Sequence, residues 1–224
     1  MGLQQQVDDF AGVGNDGYRR IRSDIIFGKL KPDQKLRLEA MREDYGVSVS
    51  TLREILSRLT SEGLVVAEGR RGFEVAGISA SDLNELGALR LLLECHAIEQ
   101  SFARGDMEWE GRVVSAHHKL AATERHLGTS KGNPRLWKQY DGEFHHAVIS
   151  NCGSRAHLDT HAAVFDRYFR YQILSLNFRG DEPAHQHRQL LDCALARDAA
   201  RAKSILIAHV NGCIAHALAT GALK

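Results

Sequence analysis

Apolar residues in the first third of the chain recur every three or four positions, which is the spacing of one face of a helix. Two predicted helices cover 18–27 and 36–45, and each is followed by a glycine. A third covers 50–62, and its apolar stripe consists of Leu52, Ile55, Leu56 and Leu59. The segments 64–67 and 73–75 flank a turn of glycine and arginine and predict a small β-hairpin. This order of elements is the plan of a winged helix-turn-helix.

The remainder of the chain predicts helices separated by turns. The chain has three prolines in 224 residues, so long stretches are free to be helical. From residue 79 onward the pattern predicts six helices and no strand. Residues 1–17 carry three glutamines and few large side chains, and we expect a flexible leader there. The predicted fold is mainly α, with an N-terminal winged helix-turn-helix over 18–77 followed by an all-α helical bundle over 78–224.

Composition excludes several classes of protein and divides the chain in two. The hydrophobic fraction is 43%, and we find neither a signal peptide nor an apolar run of the length that spans a membrane, so we expect a cytoplasmic protein with no membrane partner. Residues 18–77 carry twelve Lys and Arg against nine Asp and Glu, whereas all twelve histidines lie at or after His96. The basic part suits nucleic acid, and the part rich in histidine suits a different chemistry.

Candidate DNA contacts cluster at the start of the third helix and in the hairpin. The N-terminal residues of a recognition helix meet base edges in the major groove. The candidates there are Ser48, Ser50, Thr51 and Arg53. Arg53 can offer two donors to guanine, or it can clamp a phosphate or pair with Glu54 or Glu62. Arg37, Arg70 and Arg71 are candidates for phosphate or minor-groove contacts.

The histidines of the C-terminal part predict a metal site. Asp141 and His145 are four residues apart and share one helix face. His187 and His209 lie eleven residues before and after Asp198, so the two imidazoles are level if the chain turns there as a helical hairpin. Three imidazoles and one carboxylate suit a divalent metal, zinc first, with nickel, manganese or iron as alternatives, and leave positions for water or a ligand oxygen.

Residues 18–76 resemble the DNA-binding domain of the GntR family of bacterial regulators. The matching segments are Gly28-Lys-Leu-Lys-Pro-Asp33, Gly46-Val-Ser48, Leu52-Arg-Glu-Ile-Leu56 and Glu62-Gly-Leu-Val65, in order and without gaps. The chain departs from the family at Val49, where the family usually has an arginine that contacts DNA, and at Asp33, which replaces a turn glycine. The resemblance therefore implies DNA binding but not a copied operator sequence.

Residues 80–217 resemble the FCD ligand-binding domain of the FadR subfamily, in which a metal in a helical bundle commonly holds a carboxylate. The resemblance implies a metal bound by Asp141, His145, His187 and His209. It also implies that Arg90, four residues before Glu94, binds the carboxylate of an effector. A salt bridge between Arg90 and Glu94 within the helix is the alternative.

These observations support one main hypothesis and two alternatives. The main hypothesis is a homodimeric, metal-containing repressor that binds a palindromic operator in double-stranded DNA and is released by a small carboxylate effector. In the first alternative the metal is purely structural. In the second the protein is a metal-dependent hydrolase with Glu143 as base, although Glu143 points away from the ligand face of its helix.

Overall fold

The computed structural model of the protein describes residues 3–69, 72–127, 129, 132–174, 181–221 and 223. In this part of the chain nine helices and three short strands form two compact units, Met1–Ile78 and Ser79–Lys224. Helix is the dominant structure and the only sheet described is small, so the predicted fold class is confirmed.

The first unit is a three-helix domain with a three-stranded sheet. Its elements are α1 (Leu3–Ile26), β1 (Lys35–Leu36), α2 (Leu38–Tyr45), α3 (Val49–Ser61), β2 (Val65–Ala67) and β3 (Phe73–Val75). The strand order is β1-β3-β2 and both pairings are antiparallel. The predicted hairpin is β2 and β3, and Val65 pairs with Val75. The short β1 before α2 was not predicted, because two residues are too few to show alternation.

The apolar stripe of α3 forms the core of this unit. Its four members, Leu52, Ile55, Leu56 and Leu59, are all buried, as are Ile21 and Ile25 of α1. The turn between α2 and α3 depends on Gly46, whose φ of 67° lies in the left-handed region that glycine adopts without strain. The packing leaves the opposite face of α3 exposed, which is the face a recognition helix needs.

The first helix is longer than the sequence pattern predicts. We expected a leader without regular structure through residue 17, but α1 begins at Leu3. No proline interrupts this segment, and glycine weakens a helix without preventing it. Gly17 is itself part of the packing, because a Cβ there would lie 3.0 Å from Val47 Cγ1 and 3.3 Å from Ile55 Cδ1.

The second unit is a bundle of six described helices. They are α4 (Ala80–Arg104), α5 (Met107–Glu124), α6 (Pro134–Ile149), α7 (Arg155–Leu174), α8 (Glu182–Ala196) and α9 (Ala199–Ala219). Helix α4 packs on α7 and α9, and α5 packs on α6 and α8. Side chains from these helices meet in the interior of the bundle, where large residues such as Trp109, Phe144 and Tyr168 are buried.

Helices α8 and α9 form the predicted hairpin. The chain turns at Arg197, whose φ is 59°, and Asp198 caps α9 by accepting a hydrogen bond from the backbone N–H of Arg201. By length and composition alone α9 could also span a membrane. Its packing against α4 and α8 and its buried His209 are features of a core helix in a bundle.

Candidate metal centre and nucleic-acid interface

Four side chains converge inside the bundle. Asp141 and His145 lie one turn apart on α6, His187 lies on α8 and His209 on α9. One potential ligand atom from each of the four lies within 4.8 Å of those from the others, and all four residues are buried. The ring centroids of His187 and His209 are 4.7 Å apart, so the hairpin does place the two imidazoles level.

Each imidazole is held at Nδ1 by a protein acceptor. His145 donates to Glu94 Oε2 at 3.1 Å, His187 to Glu124 Oε1 at 2.7 Å and His209 to Gln186 Oε1 at 2.9 Å. For His187 and His209 these partners place the donating proton on Nδ1 and direct Nε2 toward the other ligands, whereas Nδ1 of His145 also lies 3.0 Å from Arg90 Nη2. Imidazoles held in this way are oriented to coordinate a cation through Nε2.

The two carboxylate oxygens of Asp141 have different neighbours. Oδ1 lies 3.4 Å from His187 Nε2, and Oδ2 lies 3.3 Å from the ammonium nitrogen of Lys138, which is itself buried. Burial alone would raise the pKa of the Asp141 carboxyl, but Lys138, the neighbouring histidines and Arg90 lower it to about 2. Burial lowers the pKa of Lys138, and Asp141 opposes that change. The carboxylate is therefore ionised and able to bind a metal.

The residues present fit a divalent metal. Nε2 of His187 is buried and has no hydrogen-bond partner in the part of the chain that the structure describes. A buried nitrogen of this kind needs a partner, and a cation among the four side chains would supply it. Burial, followed by the charge of Arg90, lowers the pKa of His145, and this favours the neutral ring that coordination requires.

Arg90 lies beside this cluster and is fully buried. Its Nε donates to Glu94 Oε1 at 2.6 Å, so the salt bridge within the helix is present. Its Nη2 lies 3.0 Å from Nδ1 and 3.2 Å from Nε2 of His145, and its guanidinium carbon lies over the rings of Phe165 and Tyr168. Nη1 is buried without a hydrogen-bond partner among the described residues. The salt bridge therefore leaves a donor available for a ligand.

The start of α3 exposes a row of hydroxyls. Ser48 caps the helix by accepting from the N–H of Thr51, and its Oγ lies 2.8 Å from Ser50 Oγ and 2.9 Å from Thr51 Oγ1. Arg53 is exposed one turn further along. Its suggested partner Glu62 already binds Tyr18, Arg22 and Arg58.

The other three candidate DNA contacts belong to other segments of the chain than α3. Arg37 is exposed at the start of α2, where its side chain makes no capping hydrogen bond. Arg70 and Arg71 lie outside the described residues. The structure thus brings together a hydroxyl cluster and Arg53 on one end of α3, and Arg37 lies on a different helix.

Comparison with known proteins identifies the family. The model for bacterial regulatory proteins of the gntR family matches residues 16–75, and the model for the FCD domain matches residues 85–212. The chain belongs to the GntR family and carries an FCD domain. The resemblance recognised in the sequence is thereby confirmed, although neither match specifies the FadR subfamily.

Two relatives that align with most of the length of this GntR regulator are named as transcriptional regulators. An uncharacterised HTH-type transcriptional regulator, BphR, of Paraburkholderia xenovorans is 36% identical over 92% of this chain and 86% of its own length. The HTH-type transcriptional repressor GlaR of Escherichia coli is 34% identical over 87% of this chain and 91% of its own. The protein is a DNA-binding transcriptional regulator and not an enzyme, so the hydrolase alternative is wrong.

Solved structures share the fold at low sequence identity. A GntR transcriptional regulator from Rhodococcus sp. RHA1 is 22% identical, with a TM-score of 0.76 over 92% of this chain and 97% of its own. E. coli McbR/YncC is 19% identical, with a TM-score of 0.78 over the same shares of the two chains. These likenesses show the fold of this GntR regulator.

Several buried residues of the centre were not found from the sequence. Glu124 and Gln186 hold two of the imidazoles, Lys138 holds Asp141, and His161 of α7 contacts Glu94. Lys138 stands three residues before Asp141, so helix periodicity places it on the same face and could have indicated it. The spacing of residues along the chain does not link Glu124 to His187, because the two residues lie on α5 and α8, which are far apart in the sequence and meet only in the folded bundle.

Proposed function

We propose that the protein is a cytoplasmic, homodimeric repressor of the FadR subfamily whose affinity for its operator is controlled by a small carboxylate at a divalent metal in the FCD domain. The observation that carries the proposal is the convergence of one carboxylate and three imidazoles with their Nδ1 atoms already bound. Residues 18–77 are the proposed DNA-binding domain and residues 78–224 the proposed metal and effector domain.

Asp141, His145, His187 and His209 would hold the metal, and zinc suits a site of nitrogen and carboxylate donors, with nickel, manganese or iron as alternatives. When bound, the metal supplies a positive centre that accepts an effector oxygen. Glu94, Glu124, Gln186 and Lys138 orient the four ligands. Orientation by buried partners keeps the lone pairs directed to one point and reduces the cost of ordering the site on binding.

Arg90 is the proposed contact for the effector carboxylate. Its Nη1 has no hydrogen-bond partner within the described residues, and its Nη2 lies 3.0 Å from Nδ1 and 3.2 Å from Nε2 of His145. When His145 coordinates a metal and donates to Glu94, both terminal nitrogens of Arg90 can donate to one carboxylate as a bidentate pair. The aromatic rings of Phe165 and Tyr168 hold the guanidinium plane in place.

The DNA-binding half of the proposal rests on α3. Ser48, Ser50, Thr51 and Arg53 lie at its leading end and are the proposed base and phosphate contacts, with Arg37, Arg70 and Arg71 as further phosphate or minor-groove contacts. A helix-turn-helix protein reads a palindrome as a dimer, with two recognition helices about one turn of DNA apart. Binding of the effector would favour a dimer arrangement in which that spacing no longer matches the operator. The repressor named among the relatives supports repression as the outcome.

A purely structural metal is the second candidate. It is favoured by the number of protein ligands, because four side chains from the protein complete a tetrahedral site and structural zinc sites are closed in this way. Under this interpretation the metal would stabilise the bundle and DNA binding would not respond to carboxylates.

The test combines DNA selection with effector titration. The purified, zinc-loaded protein is used to retain genomic DNA fragments at near-physiological salt, and the retained fragments are sequenced. We expect one short palindrome, and release of that fragment by at least one of acetate, lactate, succinate or citrate. Retention of the palindrome in all four acids, with one metal per chain, would support the structural metal. Retention without a common sequence would contradict the regulator as proposed.

A further inference from the structure

Val49 is an apolar side chain at the leading end of α3. It is the first residue of that helix, and the N-terminal residues of a recognition helix are the ones that meet base edges. Val47, two residues earlier, is 5% exposed and belongs to the core, and the buried stripe of α3 begins at Leu52. Val49 itself is only half-buried. Part of its side chain is therefore open at the end of the helix where DNA contacts are expected.

The hydroxyls on either side of Val49 form a cluster that the valine cannot join. Ser48 Oγ accepts from the backbone N–H of Thr51 at 3.2 Å, and it lies 2.8 Å from Ser50 Oγ and 2.9 Å from Thr51 Oγ1. These contacts cap the helix and tie the three hydroxyls to one another. Valine has neither a donor nor an acceptor in its side chain. The first turn of α3 thus combines a polar cluster with one apolar side chain.

Val49 and Arg53 share one face of α3. They are four residues apart, and residues at this spacing in a helix are neighbours, with Cβ atoms about 5–6 Å from each other. Arg53 is exposed. A major groove that receives the side chain of Arg53 would therefore also meet the open part of Val49.

We infer that Val49 determines part of the operator sequence by contacting the C5-methyl group of a thymine in each half-site. Base edges in the major groove present hydrogen-bond donors, hydrogen-bond acceptors and one apolar group, which is the methyl group of thymine. A side chain without donor or acceptor can favour only that group. The contact removes apolar surface of both partners from water. The inference rests on the proposed function, because it assumes that α3 enters the major groove.

The test removes one methyl group from the DNA. Duplexes that carry the palindrome recovered by DNA selection are made with deoxyuridine in place of each thymine of one half-site, one position at a time. Uracil lacks the C5-methyl group and keeps the base pair. Binding of the full-length, zinc-loaded protein is measured by fluorescence anisotropy at one fixed salt concentration, because phosphate contacts depend on salt. We expect one position at which uracil weakens binding about fourfold, the effect of exposing one methyl group.

Variants of Val49 then assign that methyl group to its partner. Val49→Ala and Val49→Ser both remove the two γ-methyl groups, and we expect them to bind the thymine and uracil duplexes equally. Val49→Ile keeps a branched apolar side chain and should retain the preference for thymine. Val114→Ala, which shortens an exposed valine on α5 of the other unit, is the matched control and should show the wild-type preference. Because each preference is a ratio within one protein, a general change in stability cancels.

The outcomes separate the role of Val49 from the proposed function. If the protein binds a palindrome but uracil weakens binding at no position, the inference about Val49 is wrong and the proposed function stands. The same holds if uracil weakens binding equally in the wild type and in the alanine and serine variants, which is the result expected when the methyl group acts through the shape of the DNA alone. If the retained DNA shares no sequence, the proposed function is contradicted, and the recognition role of Val49 with it.

Discussion

Glu124 and His187 form a hydrogen bond of 2.7 Å that joins the C-terminal end of α5 to α8. The bond occupies Nδ1 of His187, and Nε2 of the same ring faces Asp141 Oδ1 at 3.4 Å. Glu124 therefore decides which nitrogen of His187 is offered to a cation, although it is not itself one of the four candidate ligands. Partners of this kind also raise the basicity of the ligand they hold.

Removal of the Glu124 carboxylate should weaken metal binding. We expect Glu124→Ala to lower zinc affinity about 10- to 100-fold, because His187 loses the partner that fixes its orientation and tautomer. The measurement is competition with a chromogenic chelator at pH 7. Glu143→Ala is the matched control, since Glu143 lies on α6 and pairs with Lys119 at the surface. Equal affinities in both variants would remove Glu124 from the metal centre.

Metal should stabilise the folded protein through the four convergent side chains. At a free zinc concentration of about 100 times the Kd we expect a gain of about 2.7 kcal/mol in the free energy of unfolding. His209→Ala should lose most of this gain, whereas the exposed His118→Ala should keep it. Urea unfolding with and without zinc provides the comparison. A full zinc effect in the His209 variant would show that the metal binds elsewhere.

The four convergent residues could be predicted from the sequence because each depends on regular local geometry. Asp141 and His145 need only one turn of helix, and His187 and His209 need only to lie equally far from a turn at Asp198 on two antiparallel helices. The hairpin supplies that turn. The winged domain could be predicted for a similar reason, since helix periodicity and glycine stops describe short elements well.

The partners that hold those residues could not be predicted in the same way. Glu124, Gln186 and Lys138 act through packing between helices, and no spacing in the chain records which faces meet. The early start of α1 was missed because its glycines and glutamines carry a weak apolar pattern. Gly17 is required there by the close approach of Val47, and that contact exists only in the folded domain.

Lys138 and Asp141 form a buried ion pair, and removal of either charge alone should destabilise the folded protein. We expect Lys138→Met in the metal-free protein to lower the free energy of unfolding by about 3 kcal/mol, because the buried carboxylate of Asp141 loses the cation that pairs with its Oδ2. The double variant Lys138→Met with Asp141→Leu should recover most of that loss. The check is a double-mutant cycle by urea unfolding. Additive losses would mean that the two charges do not interact in solution.

Arg53 should contribute to reading the operator. It is exposed on α3, and Glu62, which could have bound it, is occupied by Tyr18, Arg22 and Arg58. We expect Arg53→Ala to cost about 1–3 kcal/mol in binding to the selected palindrome. Arg155→Ala, which removes an exposed arginine from the other unit, should leave binding unchanged.

The comparison of two DNA sequences decides what Arg53 contacts. An arginine that donates to a guanine loses affinity for the palindrome and little for unrelated DNA, whereas an arginine on phosphate weakens both alike and reduces the salt dependence. Titration of Arg53→Ala with both duplexes at several salt concentrations therefore separates base recognition from phosphate contact. Because a planar guanidinium offers two parallel donors and an ammonium does not, Arg53→Lys should restore binding only if the contact is to phosphate.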